Sequence, residues 1–384
     1  QGANDAQLVN LYSNLYRLNL YPNSQFENVG SKQSPKYQYA SPFRKGQGEA
    51  TPTKTNAPIG DGKLYVNNGF WDTYRTAWPM YSLLYPNGLT SELVDGFVQH
   101  YRDGGWVSRW SSPGYADLMT GTSSDVAFAD AYMQGALPTD VALDAYDAAL
   151  KNATVRPATS AVGRKGLERS PYLGFTDATT HQSASWGLEG YINDFGMAKM
   201  AAKLAQDPKT PKDRVAQLQE EAKYLENRAN NFVEMYNPNQ GLFTARHADG
   251  SWDNPDKKDW GGAYTEASGW TFAFHAPHNV DGLAALYGGR QGLIDELKEF
   301  TTVKERADRA GMHEAREARD LRMGMLGLSN QIAHHIPYVA VEAGDASFGQ
   351  EIIAEAQRHA FVGYDIGQGY PGDEDNGEFS AWDI

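Results

Sequence analysis

Four carboxylic acids crowd into one glycine-rich turn near the end of the chain. They are Asp373, Glu374, Asp375 and Glu378, within GYPGDEDNGEFSAW. In an extended backbone the side chains of Asp373 and Asp375 point the same way, so both carboxylates can reach one water molecule or one cation. Crowded like charges raise the pKa of at least one member unless a cation offsets them, which suits a general base or a calcium site. The competing interpretation is a solvated acidic turn.

Glu266 is a single carboxylic acid within the aromatic stretch YTEASGWTFAFHAPH. Apolar neighbours raise the pKa of a carboxyl group, as a general acid needs near neutral pH. A helix N-cap or a hydrogen-bonded core glutamate is an equally open interpretation. His275 and His278 follow at a spacing that shares a helix face, but a zinc site needs further ligands that this stretch does not supply.

Asp72 and Arg75 stand three residues apart in the aromatic stretch GFWDTYRTAW. An aspartate and an arginine among aromatic rings can hold neighbouring sugar hydroxyls through paired hydrogen bonds. The alternative is an ion pair that fixes the start of a helix.

Two adjacent histidines follow two side-chain amides in SNQIAHHIPY. Neighbouring residues of a helix point about 100° apart, so His334 and His335 are poorly placed to bind one ion together. We therefore predict two independently hydrogen-bonded histidines rather than a metal pair.

The composition excludes several classes of function. The formal net charge of −14 argues against nucleic acid as a partner, because clustered basic residues dominate such binding. No apolar run approaches the roughly 20 residues of a membrane helix, and no signal-peptide pattern opens the chain. The absence of cysteine removes disulfides and thiolate sites. With 22 Tyr, 15 Phe and 9 Trp, the chain is rich in rings that can pack on sugar faces, or that simply fill a core.

Apolar residues recur at helical spacing in several long segments, while alternating patterns are scarce. The segments are 89–101, 188–202, 215–232, 291–300 and 347–360. In the first of them, Thr90 or Ser91 is the expected N-cap and Gly104-Gly105 the expected end. The pattern predicts an all-α fold, a toroid of helix pairs whose loops gather at one end and line a pocket.

Two parts of the chain are predicted to differ in organisation. Residues 1–60 hold one helix and a lead-in loop rich in Gly, Pro, Ser and Thr, and residues 61–384 form the main domain. The final letters EFSAWDI stop inside an apolar run without a cap, so we expect the chain to be cut from a longer protein.

Six strings, in order, resemble glycoside hydrolase family 92, the calcium-dependent exo-acting α-mannosidases. They are GFWDTYRTAWPMYSLLYP, GGWVSRWSSPGYADLMTGTSSDVAFADAY, GLEGYINDFGMAKMA, YTEASGWTFAFHAPHNVDGLAALYGGR, SNQIAHHIPYVAVEAG and GYPGDEDNGEFSAW. The resemblance covers the chain from about residue 64 onward. It implies an (α/α)6 barrel, truncated here at its C-terminus and lacking the β-sandwich domain that normally precedes it and packs against it.

The resemblance also implies roles for individual residues. Asp375, with Asp373 beside it, matches the family's catalytic base, and Glu266 matches the acid of an inverting mechanism. Ca²⁺ would bind the sugar's O2 and O3, with Asn330, Gln331 and Asp375 as the expected ligands. The residues expected to bind substrate are Trp71, Asp72, Arg75, Trp110, His334 and His335. The partners would be mannose-containing glycans, and the location extracellular or periplasmic.

One position departs from the family pattern. Family members usually carry Asn-Glu-Pro where this chain has Asn330, Gln331 and Ile332. If Gln331 belongs to the metal shell, the site loses one charge and calcium affinity falls. If it is the acid position, only bonds whose leaving group needs no proton remain cleavable, such as the phosphodiester of mannose-1-phospho-6-mannose. A deliberate inactivating substitution would look the same.

Two functions from different classes are therefore carried forward. The first is an inverting, calcium-dependent exo-α-mannosidase, in which cleavage of mannosyl phosphate is a narrower possibility. The second is a carbohydrate-binding domain without catalysis, which holds mannose through its aromatic loops and the residues Asp72 and Arg75.

Overall fold

The computed structural model describes residues 2–85, 88–304, 323–363 and 369–384. The longer helices of these residues are α1 (Asp5–Leu18), α3 (Ala77–Leu84), α4 (Leu89–Gly104), α5 (Ser124–Met133), α6 (Thr139–Thr154), α8 (Ser183–Leu204), α9 (Lys212–Ala229), α11 (Val280–Leu286), α12 (Arg290–Thr302), α13 (Ile336–Ala343), α14 (Ala346–His359) and α15 (Glu378–Asp383). One-turn helices complete the series: α2 (Phe70–Thr73), α7 (Ser170–Leu173) and α10 (Gly269–Phe272).

The strands of the described residues are short and pair antiparallel. They are β1 (Asn23–Ser24), β2 (Glu27–Asn28), β3 (Tyr37–Ala40), β4 (Ile59–Asp61), β5 (Tyr65–Val66), β6 (Asn68–Gly69), β7 (Trp110–Ser111), β8 (Tyr236–Asn237) and β9 (Leu242–Phe243). The pairs are β1 with β5, β6 with β7 and β8 with β9, and β3 lies between β2 and β4. The prediction of a helical fold is confirmed.

The five segments with helical spacing all form helices, but one predicted cap is wrong. Helix α4 is preceded by Gly88, whose φ is 102°, and neither Thr90 nor Ser91 caps it. The hydroxyl of Thr90 is buried and donates to the carbonyl of Tyr81 at 2.9 Å instead. The predicted end is right, because Gly105 has φ 85° and its N–H bonds to the carbonyl of Tyr101.

The helices pack as consecutive pairs that are joined side by side. Helix α5 packs on α6, α8 on α9, α11 on α12 and α13 on α14. Alternate helices also touch: α15 contacts α3, α3 contacts α5, α5 contacts α8, and α4 contacts α6. This arrangement of inner and outer neighbours is that of a barrel of helical hairpins.

Helix α8 lies at the centre of this arrangement. Its residues are buried on nearly every side, so it lacks the polar face of a surface helix. One apolar cluster on its flank contains Leu188 and Tyr191, and a second contains Met197 and Leu204. A charged residue on this helix must therefore find its partners inside the protein.

Residues 1–60 pack against the end of the chain. The side-chain amides of Asn10 and Asn14 on α1 both donate to Asp383 at 2.6 Å. The predicted lead-in loop contains the short strands β3 and β4, and the domain boundary at residue 60 remains a prediction. Among the residues that the structure describes, no helix combines the length and the apolar composition needed to cross a membrane.

Candidate active site

Two consecutive side-chain amides contact Glu266 and Asp375, the expected acid and base. Asn330 donates from Nδ2 to Oε2 of Glu266 at 2.8 Å. Its neighbour Gln331 donates from Nε2 to Oδ2 of Asp375. The backbone here turns through a short 3-10 helix, Gln331–Ala333, so adjacent side chains diverge and reach different loops. The adjacent residues Asn330 and Gln331 thereby hold Glu266 and Asp375, respectively, by one hydrogen bond each.

Both carboxylates stand on unusual backbone conformations. Glu266 has φ 51°, Asp375 has φ 52° and Asn376 has φ 59°, all in the left-handed region that non-glycine residues rarely adopt. The turn is fixed by its own contacts, because Asn376 Oδ1 accepts from the N–H of Gly69 at 3.0 Å and Glu374 accepts from the N–H of residue 377 at 2.9 Å. Such strain persists only where surrounding contacts enforce it, and it clusters at functional sites.

The electrostatics of Asp375 suit a group that takes up a proton. Burial raises its pKa to about 6, the hydrogen bond from Gln331 lowers it, and the charges of Glu378, Asp373 and Glu266 raise it. At neutral pH Asp375 is therefore mainly ionised, but more basic than an ordinary aspartate. Asp373 is exposed beside it.

Asp72 lies near this group and is fully buried. Burial, followed by the charges of Asp375 and Glu378, raises the pKa of Asp72 well above its usual value. Its Oδ2, both side-chain polar atoms of Asn68 and Oε2 of Glu378 have no hydrogen-bond partner in the described part of the chain. Unpartnered buried oxygens are costly, so a ligand, an ion or water is expected to reach them.

The predicted ion pair between Asp72 and Arg75 does not form, so that interpretation is wrong. Arg75 Nη2 pairs with Glu189 Oε1 at 2.7 Å, and Tyr74 donates to Oε2 of Glu189 at 3.0 Å. His275 Nε2 lies 3.0 Å from Oε1 of the same carboxylate. Burial alone would raise the pKa of Glu189, but Arg75 and His275 outweigh it and lower the pKa to about 2. Arg75 is thus occupied by a partner on α8.

The adjacent histidines are hydrogen-bonded independently, as predicted. His334 Nε2 faces the carbonyl of Leu328 and its Nδ1 faces Oε1 of Glu378, each at 2.8 Å. His335 Nε2 lies 2.9 Å from the carbonyl of Phe274. Because a carbonyl only accepts, Nε2 of each ring carries a hydrogen. The carboxylate partner of His334 is thus Glu378, the first residue of α15.

His275 and His278 do not form a metal pair. His275 is turned to Glu189, whereas His278 Nε2 faces the carbonyl of Ala229 at 2.9 Å. Within the described ranges, no group of three or more His, Cys, Asp or Glu side chains could hold a metal ion. An ion at this site would need amide, backbone or water oxygens as further ligands.

The two predicted tryptophans flank the same region. Trp71 is 2% exposed, and the guanidinium of Arg75 lies 4.9 Å from its ring centre. Trp110 packs over Gly69, where a Cβ would lie 2.4 Å from the Trp110 ring and 2.7 Å from Oδ2 of Asp72. Glycine is therefore required at 69. The substrate-binding roles of these residues, and of His334 and His335, remain predictions.

Glu266 is neither a helix cap nor a core residue. Ser268 caps α10 by accepting from the N–H of Thr271 at 3.2 Å, and Glu266 is half-buried. The aromatic residues that follow it in sequence are in the core, where Trp270 and Phe272 are fully buried. Its carboxylate instead meets Asn330 from a distant loop.

Sequence reasoning missed Glu189 and Asn68. Glu189 stands in the middle of SASWGLEGYINDF, where small and apolar residues surround it on every side of the helix. A glutamate buried on all faces of a helix needs a cation, and this is the signal that could have identified the partner of Arg75. Asn68 carried no comparable signal.

Two carboxyl groups that separate loops bring to one site are the groups that most glycoside hydrolases use for catalysis. The family model described as "Glycosyl hydrolase family 92 catalytic domain" matches residues 1–384. The chain therefore belongs to glycoside hydrolase family 92. No curated protein matches this sequence.

Solved structures show the same fold. An inverting mannosidase of family GH92 from Bacteroides thetaiotaomicron is 29% identical, with a TM-score of 0.81 over 100% of this chain and 49% of its own. An α-mannosidase of the same family and organism is 18% identical with a TM-score of 0.74, covering 97% of this chain and 44% of its own. The complex of that α-mannosidase with mannoimidazole is 20% identical with a TM-score of 0.77, covering 97% of this chain and 45% of its own. The chain spans about half the length of these structures.

Proposed function

We propose that this chain is the catalytic domain of an inverting exo-acting α-mannosidase. The observation that carries the proposal is the pair of adjacent amides that hold Glu266 and Asp375 at one site. Inverting glycosidases need two carboxyl groups on opposite faces of the scissile bond, one to protonate the leaving oxygen and one to activate water. The inverting mannosidase that matches this chain along its whole length supports the same assignment.

The two carboxyl groups take different roles. Asp375 accepts the proton of the attacking water, since burial raises its pKa to about 6 and leaves it ionised but basic at neutral pH. Glu266 gives its proton to the oxygen of the departing sugar. The Oε2 atom of Glu266 accepts from Asn330, so Oε1 is the atom left to act on the leaving group. Asp373 lies on the exposed side of the turn, where it can orient the water.

The contact made by Gln331 bears on the choice of substrate. Gln331 hydrogen-bonds to Asp375, and the site still contains the carboxyl group of Glu266. The carboxyl group of Glu266 favours a substrate whose leaving group needs a proton, such as an α-mannoside. Mannose-1-phospho-6-mannose remains the second candidate, because an amide replaces the glutamate usual for the family at this position.

We propose that Ca²⁺ acts at this site. The unpartnered buried oxygens of Asn68, Asp72 and Glu378 support an oxygen-rich cation site, which suits calcium. Gln331 and Asp375 use one atom each in the amide contact and retain a further oxygen, whereas Oδ1 of Asn330 also accepts from the N–H of Ile332 at 3.5 Å. A bound calcium ion would polarise and orient two hydroxyls of the terminal sugar.

Replacing Asp375 by Asn tests the enzyme proposal, with release of mannose from an α-1,2-mannobioside as the measurement. We expect loss of activity by at least about 100-fold, the usual contribution of a general base. The matched control is Asp281→Asn, which changes an exposed acid paired with Arg290. Unchanged turnover in Asp375→Asn would overturn the assignment, and activity indifferent to EDTA would remove calcium from it.

The same assay on mannose-1-phospho-mannose separates the two substrates. Cleavage of the disaccharide supports Glu266 as the acid, whereas cleavage of the phosphodiester alone supports a site without an acid. The alternative function, a binding domain without catalysis, predicts mannose binding by calorimetry with no product from either substrate.

We further propose that a β-sandwich domain packs against this domain and that the protein acts outside the cytoplasm. The first part is supported by an exposed apolar stripe on α1, which contains Leu8, Tyr12 and Tyr16 at helical spacing. The second rests on the extracellular location of glycans, and cell fractionation tests it.

A further inference from the structure

A cavity of 480 Å³ opens beside the loop that joins α6 to α8. Its walls carry four basic side chains and two acidic ones. The basic residues are Arg156, Arg164, Lys165 and Arg169, and the acidic ones are Glu168 and Asp177. Arg156 pairs with Glu168 at 2.9 Å and Arg169 with Asp177 at 2.7 Å, so the excess of positive charge on the walls comes from Arg164 and Lys165.

Arg164 contributes charge that its neighbours only partly neutralise. Its Nη1 lies 2.9 Å from Asp194, but Asp194 is also held by Arg228 through Nε and Nη2 at 2.6 Å. The next carboxyl group, Asp125, lies 4.0 Å from Nη2, and burial raises its pKa to about 7, so it is only partly ionised at neutral pH. Arg164 and Arg228 therefore share the full negative charge of Asp194 and only part of the charge of Asp125.

Arg164 also has hydrogen-bond donors to spare. Its Nε and Nη2 have no acceptor among the described residues, although the side chain is only 6% exposed. A buried guanidinium normally has its donors satisfied, which means that a ligand or water must supply the acceptors. The hydroxyls of Thr159 and Thr180 line the same cavity and can donate as well.

The cavity is connected to the candidate active site through segment 109–120. Lys165 and Arg109 both pair with Asp117, at 2.8 and 2.7 Å, and both lie over the ring of Trp186. Arg109 directly precedes Trp110. At the other end of the segment, the hydroxyl of residue 120 accepts from Thr265 at 3.1 Å, next to Glu266.

We propose that this cavity binds a tetrahedral oxyanion, and that in the substrate the anion is a phosphate or sulfate ester carried by the glycan. Such a group offers several strong acceptors to arginine, lysine and hydroxyl donors. The part that concerns the substrate rests on the proposed mannosidase function, whereas anion binding does not. The site would select charged glycans without taking part in bond cleavage.

Calorimetry with inorganic phosphate and with mannose 6-phosphate tests the proposal directly on the whole chain. The variants are Arg156→Gln, at an exposed residue, and Lys165→Gln, at a partly exposed one, and Arg102→Gln is the matched control on α4. We expect the wild type and Arg102→Gln to bind both probes, and Lys165→Gln to bind about tenfold more weakly, as for the loss of one charge-assisted contact. Circular dichroism checks that each variant is folded.

The outcomes separate the proposals from each other. No phosphate binding by the wild type, or binding unaffected in both cavity variants, overturns the anion site even if the protein cleaves mannosides. Binding of inorganic phosphate but not of mannose 6-phosphate overturns the substrate assignment alone. If the protein releases no mannose but binds phosphate through Lys165, the anion site stands and the mannosidase function fails.

Discussion

The side-chain amide of Gln331 donates a hydrogen bond to the carboxylate of Asp375, 44 residues further along the chain. An amide can donate to a carboxylate, whereas an ionised glutamate at this position could only repel it. The residue that departs from the family pattern is therefore matched to an ionised base. Together with Asn330, which donates to Glu266, it links both candidate catalytic groups to one turn.

Gln331→Glu is expected to lower kcat on an α-mannobioside at pH 7 by about tenfold or more, because a second negative charge beside Asp375 replaces a donor. Steady-state kinetics at saturating calcium measures this effect. Gln206→Glu, which changes an exposed residue just beyond the end of α8, serves as the control. A rise in kcat would show instead that the site works better with the glutamate of its relatives.

Glu266→Gln is expected to abolish cleavage of the mannobioside while sparing substrates with a good leaving group. The amide cannot donate a proton to a sugar oxygen, but a dinitrophenolate leaves without one. The ratio of kcat/KM between dinitrophenyl α-mannoside and the mannobioside should rise by about 100-fold or more relative to the wild type. Equal losses on both substrates would assign Glu266 a role other than acid.

Glu189→Ala is expected to lower the free energy of unfolding by about 3–5 kcal/mol, since it leaves the buried cation of Arg75 without its partner. Thermal or denaturant unfolding measures the change. In the double variant Arg75→Met/Glu189→Ala, no charge is left unpaired, so part of the stability should return. A double variant as unstable as the single one would argue against the ion pair.

His100 should make stability depend on pH in a defined direction. Burial lowers its pKa to about 3, and its ring lies between the carbonyl of Tyr65 at 2.7 Å and Ser108 at 3.0 Å. The folded state keeps the ring neutral, whereas the unfolded chain binds a proton below about pH 6.5. The contribution of His100 is therefore complete above pH 6.5 and is lost progressively as the pH falls toward 3.

The variant His100→Gln isolates this effect from the other titrating groups. Its deficit in unfolding free energy relative to the wild type should shrink by about 1.6 kcal/mol between pH 6.5 and 5, because the slope approaches about 1.4 kcal/mol per pH unit below the unfolded pKa. Denaturant titrations at both pH values provide the measurement. A deficit that stays constant with pH would mean that the ring is protonated in the folded protein or titrates equally in both states.

The helices were predictable from sequence because their apolar spacing is local. Helices α8 and α9 formed where the spacing indicated, and α4 ended at Gly104-Gly105. Its N-cap was not predictable, because Thr90 is drawn to the carbonyl of Tyr81, a contact that local spacing does not reveal.

The candidate site was predictable in its members but not in its pairings. Residue type and the family resemblance identified Glu266, Gln331 and Asp375. The partner of Arg75 was missed, because Glu189 lies 114 residues away and only packing brings the two together. Asp72, the near neighbour in sequence, is left with an unpartnered oxygen instead.

The left-handed backbone at Glu266 implies a conflict between thermal stability and activity. Holding a glutamate at φ 51° costs about 1 kcal/mol or more, whereas glycine adopts this conformation freely. Glu266→Gly should therefore melt at a higher temperature than the wild type while losing the reaction. Selection for heat resistance alone would work against this site, so thermostable variants of this domain should be chosen with an activity screen in place.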